Sequence, residues 1–268
     1  TATAALSALE NSELPSGARD YWAFQLPVQA AVPTSSVYEH PVDRFLDAAR
    51  RESGVDAGPK ADRLTRLRRA YIDLTGLPPT PEQVDEFLSD TGRGAWERLI
   101  EKLLASPHYG ERWGRHWMDV ARYGDSSVHH ADGPRTMWPW RDWVIDAFNK
   151  NLSYDKFIIW QIGGDLLPEA TYEQKLATGF NRNNPINQES GLIVEEYRNE
   201  YVADRTHTTS TAFQGITMEC ARCHDHKYDP ISQEEYYKTF AFFNNVPERG
   251  LIEFMTKAAK PKPKIEDT

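Results

Sequence analysis

Cys220-Ala-Arg-Cys223-His224 carries the strongest chemistry in this chain. The C-x-x-C-H spacing is the one that attaches c-type haem, with two thiols for two thioether bonds and an imidazole for the iron. The chain has two cysteines, and both fall inside this stretch. Residues three and four apart lie on one helix face, so a helix here would present Cys220, Cys223 and His224 together. The thiols would meet the two vinyl edges of the porphyrin, and His224 would bind the iron as proximal ligand. Two other chemistries use the same residue types. Cys220, Cys223, His224 and His226 could supply four zinc ligands, although structural zinc sites usually draw on two separated pairs. A redox dithiol would follow a strand of an α/β chain, and no such strand is indicated. A disulfide between Cys220 and Cys223 would close too short a loop to stabilise much.

The elements that must position this stretch read as helical. Residues 1–39 look irregular and form an extended arm, with Tyr21-Trp22-Ala-Phe24 leading into a Pro-containing segment. From about residue 40 the pattern changes: Leu64, Leu67, Tyr71 and Leu74 recur at helical spacing, and Gly76 with Pro78-Pro79 stops the run. Thr80-Pro81-Glu-Gln83 restarts it as a capping box with proline at the first helical position. Trp96, Leu99, Ile100 and Leu103 form the next stripe, and Ser106-Pro107 precedes a helix over 109–123. Residues 125–139 read as a loop, 140–149 and 154–162 as helices, and Thr171-Tyr-Glu-Gln174 as another capping box. An Asn-rich polar loop over 181–190 leads to a helix over 195–209. Asp229-Pro230 closes the cysteine segment, and Ser232-Gln-Glu-Glu235 caps a last helix through Phe243. The expected fold is mostly α, an irregular helical domain around a covalently bound haem c with few or no strands. Its organisation is an arm (1–39), a helical haem c domain (40–250) and a Lys/Pro-rich linker (251–268) to a C-terminal domain.

At 268 residues the chain is one large domain or two small ones, long enough to bury a sizeable core. Eight tryptophans and twelve tyrosines could line a large flat cofactor or simply fill that core. The net charge of -9 argues against nucleic acid and against a polybasic membrane contact. No apolar run approaches the roughly 18 residues of a spanning helix. The first residues lack the charged and apolar regions of a signal peptide. Haem c attachment requires export, so residue 1 reads as a mature start and the expected location is periplasmic or secreted.

Several long motifs, in order, resemble a known family. They are Tyr71-Ile-Asp-Leu-Thr-Gly-Leu-Pro-Pro-Thr-Pro-Glu82, Leu104-Ala-Ser-Pro-His108 running through Arg112 and His116 to Tyr123, Trp140-Arg-Asp-Trp143, Gly164-Asp-Leu-Leu-Pro168 and Cys220-Ala-Arg-Cys-His-Asp-His-Lys227. Together they resemble the planctomycete-type cytochrome-c-associated domain of unknown function. The resemblance implies an exported haem c protein, continued beyond the linker by a second conserved domain. It implies no defined reaction. The neighbourhood of such genes, rich in sulfatases and polysaccharide-degrading functions, points by association to a carbohydrate substrate.

The sixth iron position separates electron transfer from catalysis. His116, in Arg115-His116-Trp117 on an expected helix, is the first candidate for it; a buried, hydrogen-bonded histidine is the structural alternative. His108, at a helix start, is a weaker candidate, with capping or packing as its alternative. Met218 and His226 lie too close to the proximal side, and His129, His130 and His207 are expected at the surface. Arg222 and Arg112 are the candidates to pair with haem propionates, since a guanidinium matches carboxylate geometry. A carboxylate or a backbone carbonyl beside His224 would accept its ring N–H and raise its basicity. Tryptophans 113, 117, 138, 140 and 143 are expected in the core, with one or two against the macrocycle. The readings that follow are an electron-transfer module serving a fused or partner domain, a haem-dependent oxidoreductase with an open distal site, and a zinc-stabilised binding module.

Overall fold

The computed structural model describes residues 16–127, 129, 132–187, 189 and 191–248. They are mostly helical, and strand pairing is reduced to isolated bridges such as Ser126 with Pro134. The linker expected over 251–268 and the first part of the arm lie outside the described residues. Among the described residues, no helix is long and apolar enough to cross a membrane.

Local signals start and stop the first helices. In α1 (Pro41–Ser53) proline takes the first turn and left-handed Gly54 ends it. In α2 (Arg63–Thr75) the Asp62 carboxylate accepts from the Thr65 N–H at 2.8 Å. The capping box of Thr80 and Gln83 opens α3 (Pro81–Ser89), and α4 (Ala95–Leu104) follows. Leu67, Ala70 and Tyr71 of α2 pack on Phe87 of α3 and on Leu99 and Leu103 of α4, the stripes expected from their spacing.

The larger core belongs to α5 (Pro107–Val120), α6 (Trp138–Asn149), α7 (Tyr154–Gly163) and α8 (Tyr172–Ala177). Trp140, Trp143, Val144, Ala147, Phe157, Ala177 and Phe180 are buried together. The buried polar edges are satisfied: Trp140 Nε1 donates to the Ala177 carbonyl at 3.0 Å, and Trp117 Nε1 donates to Gln161 Oε1 at 2.8 Å. The expectation that these tryptophans are core holds only in part. Trp140 and Trp143 are core, whereas Trp113 and Trp138 are exposed.

The most extensive helix contact is between α5 and α6. Gly110 makes it possible: a Cβ there would lie 2.6 Å from the Asn149 side chain and closer still to the Ile145 carbonyl oxygen. The Asn149 side chain also bridges the pair, accepting from the Gly110 N–H at 2.8 Å and donating to the Pro107 carbonyl at 3.2 Å. Gly110→Ala should therefore force the helices apart and cost about 3 kcal/mol, at the upper end for overpacking. Chemical denaturation checks this; an unchanged midpoint would refute the contact.

Two helices frame the cysteine segment: α9 (Val194–Thr209), continued by a π-turn over Ser210–Gln214, and α10 (Gln233–Ala241), opened by the capping box of Ser232 and Glu235. Three expectations shift. The fifth helix stops at Val120 because Arg122 turns left-handed (φ 59°), and α10 stops at Ala241 rather than Phe243. The described part of the arm contains two short 3-10 turns, and Trp22, Leu26 and Val28 stay exposed. The arm meets the body through an ion pair of Arg19 with Glu235 at 2.7 Å.

Candidate functional site

Cys220 and Cys223 are free and exposed. The segment is not the α-helix expected from its spacing. Glu219–Arg222 is a single 3-10 turn, with Cys223 and His224 just beyond it. Helix propagation fails because the atoms it needs are used elsewhere. The His226 N–H donates to the Ile231 carbonyl at 2.8 Å, and the Arg222 carbonyl accepts from Tyr237 Oη at 3.0 Å and Gln233 Nε2 at 3.2 Å. Cys220 in the turn and Cys223 at its end are both exposed, while Ala221 between them is fully buried.

Beneath the turn lies a small core of Met218, Ala221, Ile231 and Tyr236. Burial pushes the Tyr236 hydroxyl up to about 12, so it stays neutral there. Met218 is committed to this core: its sulfur accepts from Ser210 Oγ at 2.8 Å. His226 is buried, and its Nδ1 accepts from the Asp229 N–H at 2.8 Å, which pins the loop after the motif.

His224 is held differently. Its Nδ1 lies 2.7 Å from the Asp225 carbonyl oxygen, which can only accept, so Nδ1 carries the proton. In the neutral ring that leaves the Nε2 lone pair as the ligating atom. The partner is the backbone carbonyl and not a carboxylate; the Asp225 carboxylate instead accepts from the Gln233 N–H at 2.8 Å, at the start of α10.

Arg222 faces Glu200 of α9 in a bidentate pair, with Nη1 at 2.9 Å from Oε2. The pair holds Glu200 below the usual carboxylate range and raises Arg222. Both Nη groups of Arg222 are therefore already engaged. A groove of about 300 Å³ runs beside the turn, lined by Glu196, Asn199, Glu200, Arg222, Tyr237 and Phe240.

The remaining candidates sit on α5. His116 is exposed, its ring 5.9 Å from that of Trp113. Arg112, one turn earlier, lies against the Gly76 turn that ends α2, and its buried Nε has no partner among the described residues. The principal packing partners of α5 are α2 and α6, whereas the cysteine turn packs on α10. His108 does not cap: Ser106 caps α5, its hydroxyl accepting from the His108 N–H at 3.3 Å, and the exposed His108 ring pairs with Glu111 at 2.7 Å. Among the described residues, no group of three or more His, Cys, Asp and Glu side chains is placed to hold a metal ion. His129 is exposed, His130 lies outside the described residues, and His207, expected at the surface, is half-buried on α9.

A second polar centre escaped the sequence reading. The Asn-rich loop expected over 181–190 is largely interior: Asn183 and Asn184 are almost wholly buried. Arg135 donates to the carbonyls of Asn184 (2.8 Å), Asn183 (3.1 Å) and Arg182 (3.3 Å). Arg205 donates to the Asn181 carbonyl at 2.7 Å and pairs with buried Glu248. Arg122 pairs with Asp204 at 2.6 Å. Burial depresses Arg122, Arg135 and Arg182 alike, and neighbouring guanidinium groups add to the effect. Nothing local signals this cluster, because an isolated arginine, whether on a helix or in a polar loop, reads as solvated.

Fold and site together define a helical protein that presents a C-x-x-C-H turn at its surface. The chain belongs to the PSCyt2 family, described as a protein of unknown function (DUF1549), which matches residues 41–248. No curated protein and no solved structure matches the chain.

Proposed function

We propose that this chain is an exported c-type cytochrome domain that holds haem covalently and passes electrons to a fused or partner domain. One observation carries the reading: two exposed thiols, one in a 3-10 turn and one capping its end, followed by a histidine whose Nδ1 proton is fixed on a carbonyl. Each thiol would add across one vinyl double bond, sulfur to one carbon and hydrogen to the next. His224 Nε2 would take the iron, and the Asp225 carbonyl would hold the ring in orientation. When bound, haem supplies one-electron chemistry at its iron. Because both cysteines are exposed, haem attached there would be within reach of a partner surface. Arg222, already engaged by Glu200, would brace the turn more than bind a propionate.

The test is to export the chain with c-type maturation machinery and record its visible and pyridine haemochrome spectra with metal analysis. A haemochrome typical of two thioethers is expected; a colourless, zinc-loaded protein would overturn the reading. Carbon monoxide added to the reduced protein separates the two haem functions. An inert, six-coordinate iron supports electron transfer, whereas ready CO binding supports an oxidoreductase with an open distal site and a carbohydrate substrate. His116→Ala should convert the first behaviour to the second if His116 is the distal ligand.

A further inference from the structure

The groove beside the cysteine turn presents acceptors with no donor placed to fill them. Glu196 is exposed, and its carboxylate has no hydrogen bond or ion pair among the described residues. Asn199 donates through Nδ2 to the Glu195 carbonyl at 3.0 Å, which leaves its Oδ1 open. Tyr237 Oη donates to the Arg222 carbonyl and keeps its lone pairs free to accept. Arg222, the cation in the lining, is already held by Glu200. The rest of the lining is aromatic. Tyr237 and Phe240 lie one turn apart on α10 with ring centroids 5.8 Å apart, and Tyr237 is 47% exposed. Acceptors beside exposed rings suit a ligand that carries both ammonium groups and apolar rings.

One segment of this chain has that chemistry. Lys257-Ala-Ala-Lys260-Pro261-Lys262-Pro263-Lys264, outside the described residues, holds four ammonium groups, two prolines and no carboxylate. Proline fixes its own φ and steers the residue before it away from helix, so an alternating Lys-Pro sequence favours an extended backbone. Aromatic-lined grooves are the usual receptors for such sequences. The described chain also ends close to the groove. Asn244 accepts from Arg198 at 2.8 Å and Glu248 pairs with Arg205, both on α9, the helix that carries Glu196, Asn199 and Glu200. Lys260 follows Glu248 by twelve residues, and a chain of that length spans up to roughly 40 Å when extended. The return from the level of Arg205 to that of Arg198 is about 10 Å along a helix that is itself about 10–12 Å across. The segment is therefore long enough to reach the groove, even around the helix.

We propose that this groove is the docking site of the chain's own Lys/Pro-rich segment, residues 257–264. Its prolines lie against Tyr237 and Phe240, and its ammonium groups donate to Glu196 and to Asn199 Oδ1. Exposed ion pairs are individually weak, so the contact depends on lysines and proline rings acting together. Because Arg222 lines the groove, the docked segment flanks the C-x-x-C-H turn.

Carbodiimide coupling of the full chain tests this, since it joins an amine to a carboxylate in contact with it, with loss of water. Mass spectrometry of the digested product locates each link. An equal mixture of unlabelled and isotope-labelled protein separates links within a chain from links between chains. Links from Lys260, Lys262 or Lys264 to Glu196 within one chain are expected to dominate those to Glu195 and Glu219, exposed carboxylates that do not line the groove. Pro261→Gly with Pro263→Gly keeps every amine and carboxylate and alters no residue of the described fold. It should lower the yield at Glu196 about fivefold or more, because the freed backbone loses more entropy on docking and the rings are gone. Links spread evenly over the exposed carboxylates, links chiefly between chains, no link to Glu196, or a yield unchanged by the two glycines would each overturn the proposal. The coupling needs no haem, so its result stands apart from the cytochrome reading.

Discussion

Replacing Cys220 and Cys223 together by serine should leave the chain folded and abolish covalent haem retention completely. Both thiols are exposed and unpaired, and the turn is anchored by Ala221 beneath and by the bonds from α10 to Arg222. Serine is close to cysteine in size, so the expected stability change is within about 0.5 kcal/mol, as for surface substitutions generally. The readout is haem that survives denaturing electrophoresis, present in the unaltered exported protein and absent from the double variant. Each single variant should keep one thioether and show a shifted haemochrome band. Haem retained by the double variant would show that the attachment lies elsewhere.

Glu248→Gln should lower the unfolding free energy by about 3–5 kcal/mol, the range found when one partner of a buried ion pair is removed. Arg205 and Glu248 side chains are 3% and 4% exposed, so water cannot replace the lost carboxylate. The guanidinium would remain buried beside Arg122 and Arg182, whose charges already disfavour it. At this chain length the thermal midpoint should fall by about 10 °C. Substituting both members, Arg205→Met with Glu248→Leu, should recover much of the loss, because no unpaired charge is left. A single variant within about 1 kcal/mol of the parent would mean that the pair is hydrated in solution.

These two experiments probe centres that differed sharply in legibility. The C-x-x-C-H turn is written in consecutive residues, so its two thiols and its imidazole could be picked out from spacing. Its conformation could not. Whether residues 219–224 wind as an α-helix or a 3-10 turn depends on Gln233 and Tyr237, which reach the Arg222 carbonyl from a later helix. The His224 tautomer likewise became visible only when its Nδ1 was found on the Asp225 carbonyl.

Helix starts were legible because a cap is a local bargain between one side chain and an N–H three residues on. Thr80, Thr171 and Ser232 all close their boxes as expected. Apolar spacing likewise announced the packing of Leu67, Tyr71, Leu99 and Leu103. Helix ends were less legible, since Arg122 adopts a conformation that its residue type disfavours and that Asp204, 82 residues away, helps to hold.

By itself, then, the sequence determined what acts over a few residues: the helical class, the caps, the apolar stripes and the grouping of two thiols and an imidazole within 220–224. Tertiary structure alone decided which charges left water. An arginine carries no local mark of burial, because its cost or benefit is set by partners such as Glu248, 43 residues from Arg205. Desolvation and pairing are properties of the assembled interior, and so the cluster around Arg182 emerged only with the fold.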